Sequence, residues 1–290
     1  MGASILHLSY KFIWTVVGIF LIGSLPSLFH LASVDFTAYF QQLGSVVADL
    51  LHPTDIIYFN PDSGLARDLF PEIFEPVLYS LKIYFGAFFL ALIVALATTC
   101  LVVFLRKRQI RWIEFLANIV ESLPDVFIVF SFQLFIVWFY QQTGTLIMNI
   151  AGLGQDYAYL GPILCLSILP TMLFFRVMLL IFNEELEQPY VELAKSKGLT
   201  KKAIVFVHVL RNSLIGIFHH SQSILWLMLS NLLVLEYIFN IYGITRFIMT
   251  FFSPDVLTVG MLLIFVPIYL ILALGRLLIE RLTDRQVEAS

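Results

Sequence analysis

Apolar residues dominate this chain in long blocks, and polar residues gather in the gaps between them. Six blocks approach the roughly 20 residues that a helix needs to cross a bilayer. They cover about 12–31, 78–105, 115–140, 159–183, 212–239 and 256–279. The ten-residue alternation of a membrane β-barrel is absent. Helices are therefore expected, because lipid offers exposed backbone groups no partner.

The gaps are of two kinds. The stretch 32–77 is the longest, with apolar residues at helical spacing over Val34–Leu51 and then Pro53, Pro61, Gly64, Pro71 and Pro76. It predicts a short helix followed by a loop. The stretch 184–211 is the most charged. Within it, Pro189 suits a first helical turn, Glu192 lies near the positive dipole end, Lys195 and Lys197 lie late, and Gly198 fits a left-handed stop. A short helix over 189–198 is expected, with Thr200 capping a second helix that runs into the fifth apolar block.

Composition agrees with a membrane protein. Of 290 residues, 60% are hydrophobic and 13% charged, against about 25% charge in a soluble domain. Net charge is −3, so nothing points to nucleic acid. The location of the positive charges carries more. With the N-terminus inside, thirteen of the seventeen Lys and Arg fall on the cytoplasmic side: Lys11; Arg106, Lys107, Arg108 and Arg111; Lys195, Lys197, Lys201, Lys202 and Arg211; and Arg276, Arg281 and Arg285. Arg67, Lys82 and Arg246 fall outside, and Arg176 falls within a span. The positive-inside rule then gives six spans with both termini cytoplasmic. Lys11 before an apolar run resembles a signal peptide, but the run is long and no small-residue cleavage site follows cleanly, so it is read as a retained first span. Cys100 and Cys165 lie in apolar runs and read as small packing residues.

Polar residues inside the spans are the candidates for a pathway. Glu121 and Asp125 flank Pro124 near the inner end of the third span, where a kink is expected. They face the pathway or a neighbouring cation. Arg176 is read as a structural or interface residue. Glu236 is expected to pair with Arg246 across a tight turn at Gly243. His219, His220, Gln222, Ser223, Ser230 and Asn231 thread the fifth span, with 219, 223 and 230 on one face. Such a stripe lines a water-filled path or holds helices together. Adjacent histidines point about 100° apart on a helix, so no metal site is expected. No Gly-x-x-x-x-Gly-Lys-[Ser/Thr] loop occurs, and the chain is not expected to bind ATP.

The stretch YVELAKSKGLTKKAIVFVHVLRNSL resembles the cytoplasmic loop of permease subunits of ABC importers. Glu192, Ala194 and Gly198 fall on that family's Glu-Ala-Ala…Gly pattern, and Leu193 departs from it. The oligopeptide, dipeptide and nickel branch is more similar still, through Tyr190, Val191, Ala194, Lys197, Gly198, His208, Leu210, Arg211 and Asn212, with Ser196 in place of an Ala. Glu236, Phe239, Gly243 and Arg246 resemble the segment after the fifth span. Leu169, Pro170 and Arg176 resemble the fourth span, and Ser122, Leu123 and Pro124 the start of the third. Asp284 and Val287 resemble the usual ending.

The resemblance spans about 76–288, is specific over 160–250, and leaves 32–77 as the region that departs most. It implies an all-α, six-span permease. Residues 1–77 would supply the first span and an extracytoplasmic segment. Residues 78–290 would supply a core of five spans with a coupling loop at 184–211. Tyr190, Glu192, Ala194, Lys197 and Gly198 would couple to ATPase subunits. The implied partners are two such ATPases carrying ATP and Mg, a second related permease, an extracytoplasmic binding protein and membrane lipid. The substrate would be peptides or a related small solute. The competing reading is a self-sufficient secondary transporter or channel.

Overall fold

A computed structural model of the chain describes residues 2–30, 33–61, 64–149, 152 and 157–283. Asp284, Arg285 and Val287 lie outside the described residues. Eleven α-helices and two small hairpins follow in order among these. They are α1 (Gly2–Gly23), β1 (Phe29–His30), β2 (Ser33–Val34), α2 (Phe36–Leu51), β3 (Ile57–Asn60), β4 (Leu65–Asp68), α3 (Phe74–Val102), α4 (Lys107–Glu121), α5 (Asp125–Thr143), α6 (Leu160–Leu186), α7 (Pro189–Ser196), α8 (Lys201–Ala203), α9 (Leu210–Ile238), α10 (Ile244–Thr250) and α11 (Pro254–Thr283). A π-helical stretch, Ile204–Val209, joins α8 to α9, making one run from Lys201 to Ile238.

Among the described residues, five helices are long and apolar enough to cross a membrane: Phe74–Val102, Asp125–Thr143, Leu160–Leu186, Lys201–Ile238 and Pro254–Glu280. The first expected span ends earlier than its apolar block: α1 stops at Gly23, and the chain turns through a 3₁₀ helix at Leu25–Leu28. The third expected span, 115–140, is not one kinked helix. It breaks at Ser122–Pro124 into α4 and α5. Pro124 has ψ 139, so it stands before α5 rather than inside a continuous helix. By contrast Pro170 is accommodated within α6, where the Thr171 hydroxyl donates to the Ser167 carbonyl at 2.7 Å.

The chain divides into two units. Unit 1 holds 1–82 and 242–273, apart from two terminal residues. Here Asp35 caps α2, its carboxylate accepting from the Thr37 and Ala38 amides at 2.9 and 3.1 Å. The expected helix and loop are thus joined by something an all-α reading leaves out. β3 and β4 pair antiparallel, Ile57 opposite Asp68 and Asn60 opposite Leu65. Tyr58, on β3, turns inward against Phe247 and Phe251, with ring centroids 5.4 and 4.7 Å away. Leu69 and Ile73 are fully buried beside this hairpin in sequence. The Ile244 amide donates to the Ser80 hydroxyl at 2.8 Å. At Gly23 a Cβ would sit 2.0 Å from the Thr258 hydroxyl, so α1 and α11 meet there only because the side chain is a hydrogen.

Unit 2 holds 83–241 and 274–288. Its core is the face shared by α6 and α9, the most extensive helix pairing in the chain. Phe174, Met178, Phe182, Leu225, Met228 and Leu232 are buried there. The Tyr84 hydroxyl donates to the Leu225 carbonyl at 2.7 Å, tying α3 to α9.

Candidate functional site

The short helix α7 ends two residues earlier than the expected 189–198, because its stop signal occupies the last residues. Gln188 precedes it with extended backbone and Pro189 opens it. Gly198 has φ +80. Its amide donates to the Lys195 carbonyl at 2.9 Å, and the Leu199 amide donates to the Ala194 carbonyl at 3.2 Å. This is a Schellman stop, which needs a left-handed residue after the cap. Among the five residues assigned to coupling, Glu192, Lys197 and Gly198 are exposed, Ala194 is buried and Tyr190 is half-buried. Ala194 and Val191 form the seat of the helix. The Tyr190 hydroxyl donates to Glu185 at 2.6 Å, and its ring lies 6.4 Å from that of His208. The apolar tip is Leu193, 57% exposed. Its mismatch to the Glu-Ala-Ala pattern was the signal that could have singled it out.

Behind Gly198 the chain restarts at once. The Thr200 hydroxyl accepts from the Ala203 amide at 3.3 Å, as an N-cap does. The Lys201 ammonium donates to the Val103 carbonyl at 2.7 Å and stands 5.3 Å from the centre of the Phe104 ring. So α7 joins the end of α6 and the start of α8–α9 through short connections, and α8 in turn holds the segment just after α3 through Lys201.

The structure brings Glu121 and Arg176 together at 2.9 Å, across α4 and α6. The Glu121 side chain is 12% exposed and that of Arg176 is 66% exposed. The second Glu121 oxygen, Oε1, is buried with no hydrogen-bond partner. A carboxylate so placed depends on its cation, since a buried charge left alone is costly. Asp125 does not share this pair. It opens α5, at the positive end of that helix, and lines a cavity of about 20 Å³ with Asn231 and Cys165. That is room for about one water.

Along α9, Ser223 and Ser230 are exposed, and His219 and Asn231 are half-buried. The buried hydroxyls of this run are Ser213 and Ser221. They satisfy themselves on the Val209 and Phe218 carbonyls at 2.8 and 2.7 Å, which is a structural use. Glu236 is fully buried at the end of α9. It belongs to unit 2, whereas Gly243 and the half-buried Arg246 belong to unit 1. Gly243 has ordinary extended backbone and caps α10. The turn after α9 is made instead by Asn240, at φ 51. Asparagine tolerates this region, and its side-chain amide donates to the Gly152 carbonyl at 3.1 Å.

Residues 87–288 match the family described as binding-protein-dependent transport system inner membrane component. A dipeptide transport system permease protein, DppB, of Lactococcus lactis subsp. cremoris is 34% identical over 95 residues, 33% of this chain and 31% of the relative. The chain thus spans about a third of that relative's length. A chain of the MetNI methionine ABC transporter, solved in inward-facing conformations, shares the fold with a TM-score of 0.56 at 17% identity, covering 73% of this chain and 96% of the other. With a family match over most of its length and five helices fit to cross a bilayer, the chain belongs to the binding-protein-dependent inner membrane components, as a multi-pass permease subunit of an ABC importer.

Proposed function

We propose that this subunit forms half of a translocation pathway for peptides or a related small solute, driven by two ATPase subunits that bind ATP and Mg. It has six spans, α1 included, and both termini are cytoplasmic. Its partners are a second related permease and an extracytoplasmic binding protein. The dipeptide permease likeness supports the peptide reading, and the distribution of Lys and Arg supports the orientation.

The observation that carries coupling is α7. It is stopped by Gly198, seated on Val191 and Ala194, and presents Glu192, Leu193, Lys195 and Lys197 outward. It docks on an ATPase subunit and passes that subunit's closure to α3, α6 and α9. The helical spans then alternate between outward and inward openings.

Gly198→Pro tests this. Proline cannot adopt φ +80 and has no amide to give Lys195. The variant is expected to insert at normal abundance, keep ATP hydrolysis in its complex, and lose at least nine-tenths of transport in proteoliposomes. Normal transport by this variant refutes the coupling role. Transport by the purified chain alone, with no ATPase present, would favour the self-sufficient transporter.

A further inference from the structure

Between α4 and α6, within unit 2, lies a cavity of about 400 Å³. That volume falls in the range of small-molecule pockets. Its walls are two facing stripes. α4 supplies Glu114 and Asn118, while α6 supplies Arg176, Leu180 and Asn183. Spacings of three and four keep each set on one helical face. The Arg176–Glu121 pair sets the register, and the lining residues show the helices passing antiparallel. Arg176 therefore stands at one end of the cavity. Glu114, seven residues along α4 from Glu121, stands near the other. Seven helical residues rise roughly 10 Å.

The ion pair is one-armed. A guanidinium has five N–H donors, and a purely structural Arg–carboxylate pair is commonly bidentate. Here one Arg176 nitrogen meets one Glu121 oxygen, the other oxygen is unpartnered, and the Arg176 side chain, 66% exposed, lines the cavity. The guanidinium is held in place with donor capacity to spare.

We propose that this cleft is a substrate subsite of the permease itself, for a short zwitterion whose carboxylate binds Arg176 and whose ammonium reaches Glu114. Three residues of extended peptide span roughly 10 Å, which matches a tripeptide-sized oligomer of amino acids. Asn118, lying between the charges, serves peptide N–H and C=O groups whatever the side chains are. The inference rests on the importer reading and adds to it that both substrate ends are recognised inside this chain.

The test uses the purified full-length chain, with the subunits that co-purify, in nanodiscs without the binding protein. The probes are tri-alanine, its C-terminal amide and its N-acetyl form. Tri-alanine is expected to bind, and amidation or Arg176→Gln each weakens binding roughly tenfold. In Arg176→Gln the acid and the amide bind alike, because the interaction each change removes is the same one. N-acetylation and Glu114→Gln form a second such pair. Glu121→Gln frees the guanidinium and strengthens tri-alanine binding several-fold, a gain that misfolding does not produce.

Additive losses within either pair overturn the proposal, as does absence of tri-alanine binding to the wild type. So does a phospholipid retained by the wild type and lost in Arg176→Gln with tri-alanine binding unmoved, which identifies a headgroup site. Gly198→Pro keeps tri-alanine binding while it loses transport. Failure of the importer reading thus shows in transport, and failure of the subsite shows in the binding ratios.

Discussion

The stretch after α1 and the stretch after α6 are both non-spanning and both punctuated by Pro and Gly, yet they are held by opposite means. The 184–211 stretch depends on backbone bonds made within a few residues: Gly198 to Lys195, Leu199 to Ala194, and Thr200 to Ala203. The 24–77 stretch depends on side chains brought from far along the chain. Tyr58 packs against Phe247 and Phe251, about 190 residues away. The first kind of order is stiff, small and easily broken at one atom. The second is an aromatic core that fails only when its volume is removed.

Tyr58→Ala breaks the second kind. It is expected to destabilise unit 1 by about 3–5 kcal/mol, read as a lower melting temperature and faster proteolysis within 53–69. Transport per folded complex should be unchanged. Gly198→Ala sharpens the first kind. A left-handed alanine costs about 1–2 kcal/mol, so amide exchange at 195–199 should rise while the melting temperature of the chain holds. Thr200→Ala removes one cap for about 1 kcal/mol, and exchange should rise at Ala203 alone.

The smallest effect belongs to the Tyr58 hydroxyl, which donates to Glu72. Burial, and then the Glu72 carboxylate, push this phenol up to about 12. A folded-state value above the ordinary 10.0 means that the neutral phenol is favoured by folding. Its contribution is therefore whole below pH 10 and is lost as pH climbs toward about 12. Tyr58→Phe should cost about 1 kcal/mol near neutrality, and the gap to wild type should narrow over that window.

The same contrast explains what was legible in the sequence. The helix α7, its left-handed Gly198 and the Thr200 cap follow from chemistry within a few residues, so residue types alone announce them. The hairpin β3–β4 was passed over. Ile57 to Asn60 and Leu65 to Asp68 are too short to stand out beside long apolar blocks. What makes them strands is Tyr58 finding rings from another part of the chain. The break at Pro124 had its signal in plain view, but a long apolar run outweighed one proline. Glu121 and Asp125 consequently sit on different helices with different neighbours. Asn240 was missed for the opposite reason. A tight turn was expected, and a nearby glycine drew attention away from it.

The π-helical stretch at Ile204–Val209 has a geometric result of its own. The Leu210 amide reaches back five residues to the Val205 carbonyl, so this part of the helix takes up more residues per turn than its neighbours. Each α-helical residue advances by about 100°. One residue absorbed in a wider turn therefore shifts the phase of everything downstream by about that angle. The direction in which Ser223 and Ser230 look, relative to α7 at the far end, is accordingly written in neither place. It is an offset stored upstream, like the indexing of two gears on one shaft. A single-residue deletion that heals the wide turn would re-aim the whole polar stripe without altering one of its side chains.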